Sequence, residues 1–295
     1  MKINANEIIS KNDFGFYSVI NLPSTQELKK FYEKKYFQEE KSTYKHSYSQ
    51  DELIHLENKP KIAEYILNNI NKIKDKKILD VGCGEGFFAN YFFKNNYKVT
   101  TLDFSSYGIL QQNPQLISTL IQSDIFDSLK NIVKTKQKYQ LINLSNVLEH
   151  VTHPIELLSQ LKLLLDKDSL LRISVPNDYS DFQQFLLDKS YTTNTWLCPP
   201  EHLHYFTFES LKNLLNHVGF EVEIALGEFP IELFLANKHS NYVFDKTMGK
   251  NANKTRVEVD NFLFEQGLDK YIDFYKASAE IGFSRQVVIY AKLRN

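Results

Sequence analysis

The sequence predicts a doubly wound α/β domain built on a mostly parallel sheet of seven strands. Three observations support this fold class: short apolar strands alternate with helices, a glycine-rich turn joins one strand to a helix, and acidic residues follow strand ends. The chain has 295 residues, of which 42% are hydrophobic and 24% are charged. That length and composition suffice for one elaborated domain with a sizeable core.

The strand–helix alternation begins with a helix in KIAEYILNNINKI, directly after residue 60. The seven predicted strands are KKILDVG, YKVTTLD, ISTLIQSD, YQLINLS, SLLRISVPN, EVEIALG and RQVVIYAK. Pro154 suits the first turn of the helix PIELLSQLKLLL, because a first-turn residue needs no backbone N–H donor. Gly219 suits the C-cap of FTFESLKNLLNHVGF, because helix ends favour a left-handed residue.

The chain divides into three predicted regions. They are an N-terminal helical cap (1–60), a core α/β domain (61–230) and a C-terminal insertion over the cleft with the last strand of the sheet (231–295). Helical spacing in the cap indicates a packing face, formed by Leu28, Phe31, Tyr32 and Tyr36. Within the insertion, residues 237–256 are polar and turn-rich, and we expect a helix over 258–280.

Charge and cysteine content exclude several protein classes. The 35 basic residues are balanced by 36 acidic ones, so the excess positive charge of a nucleic-acid binder is missing. Cys83 and Cys198 form neither a disulfide framework nor a zinc-ribbon pattern, which favours a reducing compartment. The start lacks a signal-like apolar stretch, and no run approaches the ~18 apolar residues of a membrane span. We therefore expect a cytoplasmic protein.

The segment DVGCGEG, residues 80–86, follows an apolar strand and precedes a helix. Gly82 and Gly84 leave room for a ligand against the backbone, and Gly86 permits close strand-to-helix packing. Asp103 ends the next strand, where a carboxylate can accept hydrogen bonds from both hydroxyls of a ribose. Dinucleotide sites use G-x-G-x-x-G instead, so the spacing here disfavours an NAD-dependent dehydrogenase but leaves it as an alternative.

Several segments resemble the class I S-adenosylmethionine (SAM)-dependent methyltransferases. ILDVGCGEGFF is similar to their first motif, QSDIF to the segment beside the adenine, and LINLSNVLEHVTHP to the fourth-strand motif bordering the methionine moiety. The resemblance covers roughly residues 60–230 and implies a Rossmann-like fold with SAM as the cofactor. The cofactor-binding residues that it implies are Asp80, Gly82, Cys83, Gly84, Asp103, Phe104, Asp124, Ile125, Ser145 and Asn146.

Two of these assignments have structural alternatives. Asp124 with Ile125 would flank the adenine, but an Asp before a helix is also a favoured N-cap. Cys83 lies inside the glycine loop, where we expect a small packing residue rather than a reactive thiol.

Two histidine clusters are candidates for the general base. LEHVTH follows the fourth strand and contains His150, at the sheet edge where open α/β proteins bind ligands. PPEHLHYF contains His202 and His204, whose period-two spacing would aim both side chains to one side of an extended segment. We predict that these two clusters meet. Because histidine titrates near neutral pH, we predict that His202 or His204 serves as the base.

The resemblance also bears on metal and acceptor. Around LEHV the chain is similar to quinone-biosynthesis O-methyltransferases, whose divalent cation would need an acid where Asn146 stands, so we predict no required metal. PPEHLHYFTFESLKNLLNHVGF resembles a subgroup that modifies sugars or surface-polysaccharide precursors, which implies methyl transfer to an oxygen of a small polar acceptor. A non-catalytic SAM-fold binding subunit remains a second alternative, and we expect a monomer or homodimer that binds no nucleic acid.

Overall fold

A computed structural model describes residues 8–31 except 25 and 29, residues 47–70, and residues 76–294. The strands in these residues are β1 (Ile9–Lys11), β2 (Tyr17–Val19), β3 (Lys77–Val81), β4 (Lys98–Asp103), β5 (Leu120–Gln122), β6 (Tyr139–Ser145), β7 (Leu165–Pro176), β8 (His204–Tyr205), β9 (Phe220–Gly227) and β10 (Gln286–Leu293). The α-helices are α1 (Gln50–Ile70), α2 (Phe87–Lys94), α3 (Tyr107–Gln112), α4 (Ile125–Lys134), α5 (Pro154–Lys162), α6 (Asp181–Asp188), α7 (Phe208–Val218), α8 (Gly249–Glu265) and α9 (Leu268–Glu280). Short 3-10 helices cover Pro114–Thr119, Ile231–Ala236 and Lys246–Met248.

The main sheet has seven strands in the order β5-β4-β3-β6-β7-β10-β9. Neighbours from β5 to β7 pair in parallel, whereas β10 is antiparallel to both β7 and β9. Six strands therefore share one direction. The predicted doubly wound α/β class with a mostly parallel seven-stranded sheet is confirmed.

Both faces of this sheet are covered, which explains the nearly continuous apolar runs of its central strands. Alternate residues face opposite sides: Leu79 and Ile142 join the core beneath α4, α5 and α7, while Ile78 and Leu141 pack toward α1. All four side chains are completely buried. Full burial of such side chains contributes about 1.5–3 kcal/mol each, so the central strands anchor the site residues at their ends.

The sheet reverses its direction of winding between β3 and β6. The chain moves from β3 outward to β4 and β5, then returns to the other side of β3 as β6. The carboxyl ends of β3 and β6 consequently flank a crevice, which is where open α/β sheets bind ligands. Gly82 follows β3 and Asn146 follows β6, so both lie at this point.

The N-terminal region differs from the predicted helical cap. Residues 9–19 form the hairpin β1–β2, and β2 pairs with β8 to give a small three-stranded antiparallel sheet. The turn explains the hairpin, because Asn12 Oδ1 accepts hydrogen bonds from two following backbone N–H groups and Gly15 has φ of 95°. Residues 26–28, 30 and 31 are helical, whereas Tyr32 and Tyr36 of the predicted stripe lie outside the described residues.

Two helix boundaries also differ from the prediction. The helix placed after residue 60 begins at Gln50, so α1 extends into the predicted cap. The helix predicted over 258–280 is two helices, α8 and α9, because Gly267 adopts φ of 110° and breaks the helical path. Within the described residues, no helix has both the length and the apolar character needed to cross a membrane.

Candidate active site

The glycine loop between β3 and α2 has a backbone that only glycine adopts without strain. Gly82, Gly84 and Gly86 have φ of 67°, 53° and 76°. A Cβ built on Gly82 would lie 2.3 Å from Cγ2 of Val147, and one built on Gly108 would lie 2.6 Å from the carbonyl oxygen of Gly84. The loop is therefore closely packed between α3 and the segment that follows β6.

Substituting Gly82→Ala should lower the free energy of unfolding by about 1–3 kcal/mol, since it adds both backbone strain and a steric clash. Chemical denaturation of the two proteins measures this difference. Gly249→Ala is the matched control, because Gly249 has φ of −58° and nothing lies within 4 Å of an added Cβ. The double substitution Gly82→Ala with Val147→Ala should recover the part of the lost free energy of unfolding that is due to the steric clash. Equal stabilities of the Gly82 and Gly249 variants would contradict the expectation.

Two buried carboxylates lie at the ends of β3 and β4. Asp103 accepts hydrogen bonds from the backbone N–H of Gly84 at Oδ2 (2.9 Å) and of Ser105 at Oδ1 (3.0 Å), and burial raises its pKa. Asp80 accepts one from Nδ2 of Asn143 at Oδ1 (2.6 Å), and its Oδ2 has no hydrogen-bond partner among the described residues. Burial raises the pKa of Asp80 to about 6. Asp103 thus braces the glycine loop, and both carboxylates keep acceptor capacity for a ligand.

The other predicted cofactor residues lie at the same edge of the sheet. Cys83 packs against an apolar cluster, and burial raises its pKa well above the usual range, as expected of a packing residue that stays a thiol. Asp124 is the N-cap of α4, because Oδ1 accepts hydrogen bonds from the backbone N–H groups of Phe126 and Asp127. The capping alternative therefore describes the structure. The remaining predicted residues lie at or next to the ends of strands or helices; they are Phe104, Ile125, Ser145 and Asn146.

The two histidine clusters meet, as predicted. The rings of His150 and His202 lie 4.9 Å apart between centroids, at an interplanar angle of 77°. Backbone hydrogen bonds fix this approach, because the carbonyl of Glu149 accepts from the N–H groups of Leu203 and His204. His150 Nδ1 donates to the carbonyl oxygen of Glu201 at 2.6 Å, so a neutral His150 has its lone pair on Nε2.

His204 has a different environment from His202. Its Nε2 donates to the carbonyl oxygen of Val151 (2.9 Å), and its Nδ1 accepts from the hydroxyl of Ser18 (2.9 Å). A bend at residue 203 interrupts the extended segment on which the expected shared orientation depends, and the two side chains have different partners. Burial lowers the pKa of His204 to about 4. Because both ring nitrogens are engaged and the ring stays neutral, the geometry favours His202 and His150 as the base.

The buried His204 should make stability depend on pH between about 6.5 and 4. Its pKa is about 4 in the folded protein and about 6.5 in the unfolded chain, so the unfolded chain binds more protons in this window and stability falls as pH decreases. The whole shift corresponds to roughly 3 kcal/mol. Denaturation of wild type and His204→Gln at pH 7.5 and 5 should show a stability difference that shrinks at the lower pH. A difference that stays constant between the two pH values would contradict it.

Acidic groups surround His202 and His150. Both carboxylate oxygens of Glu149 are buried without a hydrogen-bond partner among the described residues, and burial raises its pKa to about 8. Asp178 Oδ2 lies 4.0 Å from His202 Nδ1, while its Oδ1 accepts a hydrogen bond from Nη1 of Arg285 at 2.7 Å. The site thus contains the series Arg285–Asp178–His202.

Asp178 and Arg285 were not predicted as site residues. Asp178 carried a usable signal, because it closely follows the end of a strand in SLLRISVPND, at the edge where ligands bind. Arg285 carried none, since only the fold brings it to Asp178 across 107 residues of sequence.

Among the residues that the structure describes, one group of side chains could hold a metal ion. Glu149, His150 and His202 each offer one ligand atom, and these atoms lie within 4.8 Å of one another. His202 joins this group from a separate loop. It restores the number of possible metal ligands, which the replacement of an acid by Asn146 would otherwise reduce by one. Two imidazoles and one carboxylate suit a transition metal better than Mg²⁺ or Ca²⁺, which prefer oxygen ligands.

Comparison with known proteins agrees with this geometry. A family model described as "Methyltransferase domain" matches residues 53–224. The ubiquinone biosynthesis O-methyltransferase of Glaesserella parasuis serovar 5 is 32% identical over 130 residues, or 42% of this chain and 55% of the relative. The ubiquinone biosynthesis O-methyltransferase of Vibrio vulnificus is 31% identical over 106 residues, or 34% of this chain and 43% of the relative. The chain thus spans about half the length of the curated relatives that it matches.

Two solved structures share the fold. A SAM-dependent methyltransferase from Archaeoglobus fulgidus superposes with a TM-score of 0.52 at 21% identity, covering 90% of this chain and 99% of its own. The plantazolicin methyltransferase BpumL, solved with S-adenosylhomocysteine (SAH), gives 0.51 at 17% identity, with coverages of 92% and 91%. The family match, the strand order and the glycine loop at the switch point together show that the chain belongs to the methyltransferase domain family and has the class I SAM-dependent methyltransferase fold.

Proposed function

We propose that the protein transfers a methyl group from SAM to an oxygen of a small polar acceptor, in the class of sugars or nucleotide-linked polysaccharide precursors. One observation carries the proposal. The glycine loop and the histidine–carboxylate cluster lie on the same crevice, joined by the segment after β6: Val147 packs against Gly82, and Glu149 and His150 follow within three residues. A cofactor site and a proton-accepting site are thus adjacent.

The residues of the crevice fit SAM. Gly82 and Gly84 carry no side chains, so the loop presents bare backbone where the methionine part would lie. Asp80, with its unpartnered Oδ2, suits the ammonium group of that part, and Asp103 suits the ribose hydroxyls. SAM has no phosphate, which agrees with a loop that departs from the dinucleotide spacing. Phe104 directly follows β4, and Asp124 and Ile125 begin α4, which are the positions proposed for the adenine.

SAM, when bound, supplies an electrophilic methyl group, so the protein mainly has to position the acceptor and remove its proton. His202 accepts the hydroxyl proton as the acceptor oxygen attacks. Asp178 faces Nδ1 of His202 and stabilises the cationic ring that results, while Arg285 fixes the orientation of Asp178. The 4.0 Å separation of His202 and Asp178 is compatible with this role, because such contacts often tighten when ligands bind.

Unsatisfied polar atoms support a hydroxyl-rich acceptor. Buried oxygens of Glu149, Asp178 and Glu232 have no hydrogen-bond partner among the described residues. Leaving such groups unpaired is costly, and a sugar offers several hydroxyl donors. The relatives from Glaesserella parasuis and Vibrio vulnificus are named as O-methyltransferases, which supports oxygen as the acceptor atom. The cytoplasmic location and the monomer or homodimer predicted from the sequence belong to the same proposal.

Calorimetric titration with SAM, SAH and NAD tests the cofactor. Micromolar binding of the two adenosyl ligands without NAD binding is expected, and the reverse would indicate the dehydrogenase alternative. Incubation with radiolabelled SAM and a panel of monosaccharides and nucleotide sugars then tests the acceptor. Binding of SAM without transfer to any of them would favour the non-catalytic binding subunit.

Removal of metal should leave methyl transfer intact, because a His base needs no cation and Asn146 replaces one acid of a hard-cation site. Initial rates before and after extensive chelation measure this. Loss of activity restored by Zn²⁺ or Mn²⁺ would instead assign a metal to Glu149, His150 and His202. Restoration by Mg²⁺ alone would equally overturn the prediction.

A further inference from the structure

A row of polar side chains crosses the interior of the main sheet beneath the glycine loop. Asp80 on β3 is the register neighbour of Asn143 on β6, which is the neighbour of Arg172 on β7, which in turn faces Tyr290 on β10. Each of the four is at most 3% exposed. The strands otherwise contribute mainly apolar residues here, so a continuous polar row is a marked departure from the pattern of a buried sheet.

The hydrogen bonds in this row run toward Asp80. Arg172 Nη1 donates to Oδ1 of Asn143 (2.8 Å), and Nδ2 of Asn143 donates to Oδ1 of Asp80 (2.6 Å). Arg172 Nε donates to the hydroxyl of Tyr290 (3.3 Å), which fixes the guanidinium from the other side. The Asn143 amide can therefore take only one orientation, because its oxygen must face the donor and its nitrogen the carboxylate.

The acids at the far end of the row have basic side chains of their own as neighbours. Arg172 lines a cavity of about 20 Å³ together with Glu228 and Asp260. Lys59 Nζ lies 3.1 and 3.2 Å from the two carboxylate oxygens of Glu228, and His55 Nδ1 lies 3.0 Å from Asp260. Asp80 is thus the carboxylate at which the hydrogen bonds of the row end.

We propose that Arg172 is a positioning residue of the SAM site, acting through Asn143 to keep the Asp80 carboxylate charged and fixed in orientation. The inference rests on the proposed function, in which Asp80 faces the ammonium group of SAM. A buried arginine is expensive to desolvate and an apolar residue would fill its place, so a role in the site accounts for its presence.

Other groups also act on Asp80 and set the sign of the test. Asp103 opposes its ionisation, whereas Asn143, Arg172 and the backbone N–H of Ala89 on α2 favour it. Removing the positive charge of Arg172 therefore makes Asp80 take up a proton at higher pH. As the pH is lowered, the variant should therefore lose affinity for a cationic ligand group at a higher pH than the wild type does. Raising the pH should restore that affinity.

Calorimetric titration of SAH from pH 5.5 to 9 tests the proposal on wild type, Arg172→Met and Arg172→Lys. The midpoint of the pH dependence should rise by about one unit in Arg172→Met, so that affinity falls about twofold at pH 7, approaches a loss of about tenfold toward pH 5.5, and recovers near pH 9. Arg172→Lys, which keeps the charge, should restore the midpoint. Ile173→Val is the matched control, since Ile173 adjoins Arg172 on β7 but packs into the core on the other face.

The outcomes are distinguishable. Affinity that falls equally at every pH in Arg172→Met, or a midpoint shift in Ile173→Val, would reduce Arg172 to a structural residue and overturn the proposal. Should Arg172→Met not fold, Arg172→Gln carries the same expectation, because it can still donate to Asn143 without a charge. Failure of the wild type to bind SAH at any pH would overturn the proposed function itself.

Discussion

Substituting His202→Asn should lower kcat by about 10²–10⁴-fold while leaving the Kd for SAH unchanged, because general-base catalysis contributes that range. Asparagine retains a polar side chain of similar reach but cannot accept a proton in the transition state. The measurement is the initial rate of methyl transfer to an acceptor that the wild type modifies, together with calorimetry of SAH. His239→Asn is the control, because His239 is exposed in a turn remote in sequence from the crevice.

The neighbours of His202 sharpen this prediction. Asp178→Asn should also reduce kcat, by a smaller factor, because a neutral amide stabilises the protonated ring less than a carboxylate does. If His150→Asn abolishes transfer and His202→Asn does not, the base is His150, whose Nε2 lies 3.7 Å from Glu149. Undiminished transfer in both single variants and in the double variant would exclude histidine as the base.

The sequence was informative where a local pattern determines the structure. Apolar runs such as YQLINLS lie in the sheet because both of its faces are covered. The loop needs glycines because its backbone has positive φ and Val147 leaves no room for a Cβ on Gly82. The N-terminal hairpin was not predicted, since its three-residue strands are stabilised by pairing with β8, almost 200 residues away.

The candidate site was predictable only in part. The position of His150 after β6 followed from strand order, but the roles of His202 and His204 depend on a bend at residue 203 that their spacing does not reveal. His204 donates to Val151 and accepts from Ser18, and neither contact has a local sequence signal. Arg172 looked like one polar residue in a strand, and its row with Asn143 appears only once the strands are in register.

Substituting Asp103→Ala should weaken SAH binding by about 2–6 kcal/mol, since a charged acceptor contributes ~1–3 kcal/mol to each of two ribose hydrogen bonds. Asp103 also accepts hydrogen bonds from the N–H groups of Gly84 and Ser105, so the variant loosens the glycine loop as well. Affinity alone therefore cannot separate a ribose contact from support of the loop. A ligand that lacks one hydroxyl can.

Titrating wild type and Asp103→Ala with SAH and with its 2′-deoxy analogue makes that separation. If Asp103 binds the ribose, the wild type should prefer SAH over the analogue by about 1–3 kcal/mol, and the variant should lose this preference. If Asp103 only braces the loop, both ligands weaken equally and the preference persists. The latter result would remove Asp103 from the ribose while leaving the proposed SAM site in place, because the roles proposed for Gly82, Gly84 and Asp80 do not require a contact between Asp103 and the ribose.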